Sequence, residues 1–232
     1  MDITALLNAY ENDHGSQERV RDFVAFLQGG RQQQKRKKQS GRKYNVIVMD
    51  PPWPYTSRRM MQDNGKKAAG IDDEYSIMTI EDMANLPIEN ICADNCLLYM
   101  WVTGPKLQEA FKLIDAWKFK YSTVAYVWNK RVPNPGFYSM SQCEYVLVAK
   151  KGRAPERKQG VNTRQYYEET RTVHSRKPEA IQDMIDKQFD MTNVKKVEIF
   201  ARRYRKGWDC VGNELNGTIQ DFLSGKRMKL RK

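Results

Sequence analysis

The sequence predicts an α/β fold with a mostly parallel central sheet. Three observations lead there. Short apolar runs, several rich in β-branched residues, recur at 44–49 (YNVIVM), 96–102 (CLLYMWV), 121–128 (YSTVAYVW), 143–149 (CEYVLVA) and 197–201 (VEIFA). Each has the length of a buried strand. Two amphipathic stretches fall among them, at 105–117 and 178–189. Strands alternating with helices imply parallel pairing through right-handed crossovers. In such sheets ligands bind beyond the carboxyl ends of the strands.

Taken in order, residues 16–28 (SQERVRDFVAFLQ) predict a short helix. Ser16 caps it, Val20, Phe23, Val24 and Leu27 share one face, and Gly29-Gly30 ends it. Residues 1–29 are thus a helical extension, and the polar stretch 30–43 is a basic linker. The main domain runs from 44 to 224, beginning with the strand 44–49 that ends at Asp50. In helix 105–117, Leu107, Ala110, Phe111, Ile114 and Trp117 form the apolar face. Pro178 suits the first turn of helix 178–189, which repeats Ile181, Met184, Ile185 and Phe189. The run 197–201 is the last predicted strand, and 225–232 is a basic tail.

Composition narrows the function. Across 232 residues no apolar run approaches the roughly 20 needed to span a membrane. The N-terminus has no basic start followed by an apolar stretch, so no secretory signal is expected. The expected location is the cytoplasm (the host's, for a phage-encoded chain), or the nucleus in a eukaryote. Four cysteines without a CxxC pair, and only two histidines, predict buried reduced thiols and no metal. The net charge of +12 is concentrated: seven Lys or Arg and no acid in 30–43, five and no acid in 225–232. Such clusters attract polyanions without specifying a sequence, or act as solvated segments; KRKK also has the make-up of a weak nuclear-import signal.

The stretch VMDPPWPY, 48–55, carries the chemistry. Pro51 and Pro52 have fixed φ and no backbone N–H, so they stop the strand and stiffen the turn. Asp50 then sits at the functional edge of the sheet, with Trp53 beside it. A planar base with an exocyclic amine fits this arrangement. Its N–H groups donate to the Asp50 carboxylate and the Pro51 carbonyl while its ring stacks on Trp53. The alternative reading is a strand-ending proline turn with Trp53 in the core.

Asp50-Pro51-Pro52-Trp53 resembles the D/N/S-P-P-Y/F/W signature of amino-methyltransferases, and in this form the MT-A70 family of adenine N6-methyltransferases. Three further segments resemble that family: His174-Ser175-Arg176-Lys177-Pro178-Glu179 (its HSxKP), Glu198-Ile199-Phe200-Ala201-Arg202 (its ELFAR), and Gly207-Trp208 followed by Gly212-Asn213-Glu214 (its GW…GNE). The motif order, catalytic turn before cofactor strand, resembles the permuted β class. The resemblance implies a Rossmann-like fold that binds S-adenosylmethionine (SAM), and a phage-type or bacterial-type DNA enzyme.

It also implies roles. Asp50, Pro51, Pro52 and Trp53 are the catalytic turn. Lys177 pairs with the methionine moiety of SAM, Arg202 lies by its ribose and amino-acid portions, and Asn213 and Glu214 bond the ribose hydroxyls. Glu144 falls near the active face, Glu198 needs a partner within its apolar strand, and Trp208 is expected in the core. His174 has a structural or a ligand-contact role. Two basic loops with interleaved aromatics are the expected nucleic-acid surfaces. They contribute Arg58, Arg59, Lys66 and Lys67 from 56–76, and Lys150, Lys151, Arg153, Tyr166 and Tyr167 from 150–177. DNA is the favoured partner. RNA, cytosine N4 and an inactive nucleic-acid-binding subunit stand as alternatives, and the chain acts alone, as a homodimer or as a paired methyltransferase subunit.

Overall fold

The computed structural model describes residues 42–55, 78–135, 138–172, 176–189 and 193–231. The predicted helix 16–28, most of the basic linker, and Arg58, Arg59, Lys66, Lys67 and His174 lie outside them.

Seven strands form one sheet. They are β1 (Tyr44–Met49), β2 (Cys92–Thr103), β3 (Lys120–Asn134), β4 (Ser141–Lys151), β5 (Tyr166–Glu168), β6 (Lys196–Ile199) and β7 (Asp209–Val211), in spatial order β5-β3-β4-β2-β1-β6-β7. β1 pairs in parallel with β2 and β6, β6 with β7, and β3 with β5. Only β4 runs against its neighbours β2 and β3. The mostly parallel α/β sheet is therefore observed, with one reversed strand that a run such as CEYVLVA does not announce.

Side chains alternate across β1 and β2. Ile47, Met49, Leu98, Met100 and Val102 belong to one buried cluster, which also holds residues of the helices α1 (Ile80–Ala84), α2 (Leu107–Ala116) and α4 (Ile219–Leu223). Val46, Val48, Leu97, Tyr99 and Trp101 belong to the other, with Ile181 and Ile185 of helix α3 (Glu179–Gln188). Helices on both faces explain why β1 reads as continuously apolar. In α2 the buried stripe is Ala110, Leu113 and Ile114, whereas Phe111 is exposed and meets Tyr121 edge-on. Pro178 is the N-cap of α3 and lies just outside the first turn.

β5 and β7 are absent from the predicted elements, so 197–201 is not the last strand. Each is three residues long, too short to show a period. β7 also begins with an acid, Asp209, which is 1% exposed. Three groups hold that carboxylate: the Tyr44 hydroxyl (2.7 Å), the Arg42 guanidinium (2.9 Å) and Arg231. The stretch 225–231 is accordingly not a free basic tail. Leu230 accepts a bond from the Cys210 N–H at 2.9 Å, and Met228 and Leu230 pack on the core. This strap covers the outer edge of β7, which would otherwise be open to another chain.

Candidate active site

β1, β2, β6 and β7 all end at the same edge, and the site is assembled there. β1 delivers Asp50. The Trp53 N–H donates to the Pro51 carbonyl at 2.8 Å, closing a three-residue turn. One Pro51 lone pair is therefore engaged and one remains.

Trp53 departs from its expected role as an open stacking face. It is 7% exposed, sits in the core, and donates its indole N–H to the Trp101 carbonyl at 3.1 Å. The ring anchors the turn to β2. The reading with Trp53 in the core is the one observed.

Lys177 makes ion pairs that its motif does not announce. Its ammonium lies 3.0 Å from Asp50 and 3.0 Å from Glu144, and 5.5 Å from the centre of the Trp101 ring. Glu144 in turn meets Lys130 at 3.2 Å. Asp50, Lys177, Glu144 and Lys130 thus form a charge-balanced chain whose members are at most a quarter exposed. Burial opposes the charge on Asp50, Lys177 and Glu144, and the partners decide the outcome. The carboxyl of Asp50 is pushed up by burial, with Lys177 pulling the other way. Lys177 stays protonated because two carboxylates outweigh its desolvation. Glu144 is held below the usual carboxylate range because Lys177 and Lys130 outweigh burial.

A cavity of about 440 Å³ opens against this chain, lined among others by Asp50, Trp101, Lys177, Glu198, Phe200 and Arg202. Its size is that of a small-molecule site. β6 contributes Glu198, whose carboxyl is raised by burial although Gln182 donates to it at 2.8 Å. Phe200 follows with φ of +62°, a backbone state costly for a bulky side chain. That turn lets the Ala201 N–H bond the Val211 carbonyl at 2.8 Å and brings Arg202 to the cavity. Gly212 makes the approach possible, since a Cβ there would lie 1.9 Å from the Ala201 oxygen. Asn213 and Glu214 are exposed on the turn after β7, outside the lining; Glu214 connects to the cavity through Arg202 at 3.9 Å.

The basic residues expected to meet nucleic acid separate into two places. Glu144 pairs with Thr103 at the site edge, but Lys150 and Lys151 pair with Leu97 and Cys96 at the other end of the sheet. Seven residues of strand put about 24 Å between Glu144 and Lys151. Because β4 is reversed, Lys150, Lys151 and Arg153 lie at the end of the sheet away from Asp50, so the structure does not bring them to the site with it. Tyr166 and Tyr167 lie at the site edge, with Tyr167 opposite Trp128 and Trp128 opposite Glu144. Tyr166 is 55% exposed, while Tyr167 is half-buried and bonds Glu169. Lys130, Trp101 and Gln182 are site residues that sequence reasoning missed. Lys130, a cation two positions after the apolar run 121–128, was the available signal.

An acid-Pro-Pro-aromatic turn ending a strand, in a sheet of this order and against a ligand-sized cavity, defines the class as a Rossmann-like methyltransferase. The MT-A70 family model matches residues 44–214, more than half of the chain, and the chain belongs to that family. It is 38% identical over 185 residues to the Type II methyltransferase M.MunI of Mycoplasma sp, covering 75% of this chain and 78% of that protein. It is 27% identical over 184 residues to an N(6)-adenosine-methyltransferase MT-A70-like protein of Arabidopsis thaliana, covering 75% of this chain but 24% of the relative. With the N6-methyladenosine RNA methyltransferase MTA1 of Cryphonectria parasitica it shares 29% identity over 185 residues, 74% of this chain and 52% of that one.

Proposed function

We propose that this chain transfers the methyl group of SAM to N6 of adenine in DNA. The observation that carries the reading is the Asp50 carboxylate at the end of β1, beside the Pro51 carbonyl and facing the cavity formed with β6. Bound there, SAM would supply an electrophilic methyl group. The protein's part is to bind and orient. The Pro51 carbonyl and an oxygen of Asp50 accept the two N6–H bonds, which aims the nitrogen lone pair. Lys177 engages Asp50 Oδ2, so the other oxygen is the one offered to the amine. Burial makes that carboxylate the more basic and suits it to take the proton that N6 loses.

The cavity suits the cofactor chemically. Lys177 has three donors, two spent on Asp50 and Glu144, and the third is available to a carboxylate. Glu214 reaches the cavity through Arg202, and in this reading it and the neighbouring Asn213 supply the carboxyl and amide groups that suit a cis-diol. DNA is favoured because similarity runs along most of the compact Mycoplasma relative, whereas the relatives named for adenosine or RNA are more distant and longer. Tyr166 offers a strand-binding surface in this reading, as does pairing with a second subunit.

The test is methylation with labelled SAM on duplex DNA, single-stranded DNA and RNA, digested to nucleosides and identified by mass spectrometry. N6-methyldeoxyadenosine is expected, and none with Asp50→Ala. Product only in the ribonucleosides moves the substrate to RNA. An active Asp50→Ala protein overturns the mechanism.

A further inference from the structure

The buried ring of Trp53 leaves the stacking role vacant, and one side chain at the site edge is placed to fill it. Tyr55 lies two residues beyond Trp53 and is 43% exposed. Pro54 precedes it and stiffens the connection. Its hydroxyl shares a 2.8 Å hydrogen bond with Thr103 Oγ1, at the end of β2 and opposite Glu144 in the register. The Lys106 ammonium stands over its ring, 5.7 Å from the centroid, and is itself tied to Glu109 at 3.2 Å. The ring is thus fixed at its hydroxyl end and braced by a cation over one face. Thr103 faces Glu144 across the β2–β4 pair and Glu144 meets Lys177, the partner of Asp50, so the Tyr55 hydroxyl is tied to the edge of the sheet that carries the site. An aromatic ring that is anchored, partly exposed and next to the amine acceptors is what an unstacked base requires.

We infer that Tyr55, and not Trp53, is the platform on which the target adenine stacks. The inference rests on the function proposed above. Trp53 holds the turn in place and Tyr55 takes the base. The phenol ring supplies the stacking surface and its hydroxyl only orients it, so Tyr55→Phe retains the function and Tyr55→Leu loses it.

The test is a direct binding measurement that needs no methyl transfer. A single-stranded oligodeoxythymidylate with one internal 2-aminopurine is titrated with the full chain and with Tyr55→Phe and Tyr55→Leu. Stacking on an aromatic ring quenches the 2-aminopurine. Quenching by the parent protein and by Tyr55→Phe is expected, with loss of quenching and a roughly five- to hundredfold weaker kcat/KM for DNA in Tyr55→Leu. SAM affinity, read by equilibrium dialysis, and the far-ultraviolet dichroism stay unchanged in both variants. Equal quenching by Tyr55→Leu, or none by the parent protein, overturns the assignment. Failure of the proposed function is read separately, as absence of N6-methyladenine from the parent protein while quenching persists.

Discussion

Replacing Asp209 by Ala should destabilise the domain by about 2–4 kcal/mol, and the amount follows from what surrounds the carboxylate. Tyr44 is 1% exposed and loses the acceptor that its hydroxyl reaches at 2.7 Å. A buried donor left unsatisfied costs about 1–3 kcal/mol. Arg42 and Arg231 are 60% and 57% exposed, so their guanidinium groups return to water, and each lost pair is worth about 0–1 kcal/mol. The full penalty of a broken buried ion pair does not apply, because only the acid is buried. The assay is urea unfolding of Asp209→Ala, Tyr44→Phe and the double variant. The midpoint should fall with an unchanged slope, and the two substitutions should couple by about 1 kcal/mol or more. Hydrogen bonds from Tyr44, Arg42 and Arg231 outweigh burial and hold Asp209 below the usual carboxylate range. A carboxyl depressed on folding contributes stability above its unfolded pKa, about 3.9, and that contribution is lost as pH falls through the folded value. The parent protein should therefore lose its advantage over Asp209→Asn in acid. An unchanged midpoint in Asp209→Ala, or additive single variants, would refute the reasoning.

Further outcomes are expected at the site and around it. Asp50→Ala should lower kcat by a hundredfold or more while SAM still binds, measured by radiolabel transfer and dialysis. Because burial pushes the Asp50 carboxyl up, and it must be ionised to accept the amine, the acid limb of kcat should begin above the ordinary carboxylate range. Lys177→Met should move that limb further toward neutral pH, since Lys177 is the main group pulling the other way. Gly212→Ala should cost several kcal/mol or prevent folding, read by thermal melting, because its Cβ meets backbone at Ala201 and cannot be relieved by a rotamer. Alanine at Lys150, Lys151 and Arg153 together should leave kcat/KM for DNA within about threefold, since electrostatic contacts a Debye length or more away, about 8 Å, are screened; a loss like that of Tyr55→Leu would return these residues to the substrate surface.

The strands were legible wherever a run was apolar, although β2, β3 and β4 extend beyond the runs 96–102, 121–128 and 143–149, and β6 stops at Ile199, short of 201. Residues 44–49 match β1 residue for residue, because a strand buried on both faces needs nothing but apolar side chains. The turn at Asp50 was equally legible, since two prolines after an acid dictate where the strand stops and what stands at its end. Local chemistry of this kind is written in consecutive residues.

Contacts between distant segments were not. That Lys177 meets Asp50, 127 positions away in the chain, depends on the approach of α3 to β1, and nothing near Lys177 encodes that approach. The reversed direction of β4 decided that Glu144 reaches the site while Lys150 and Lys151 are carried away from it, although all three lie in one short segment. The same holds for the two aromatics of the turn: sequence placed Trp53 and Tyr55 two residues apart, and only the seating of the indole in the core, with its N–H on the Trp101 carbonyl, determined which ring is buried and which is left for a base. Sequence alone determined the family and the mostly parallel α/β architecture, because both follow from local residue types and their order. Tertiary structure decided the partner of every charged group at the site, because a buried charge is settled by whatever the fold brings within about 3 Å of it.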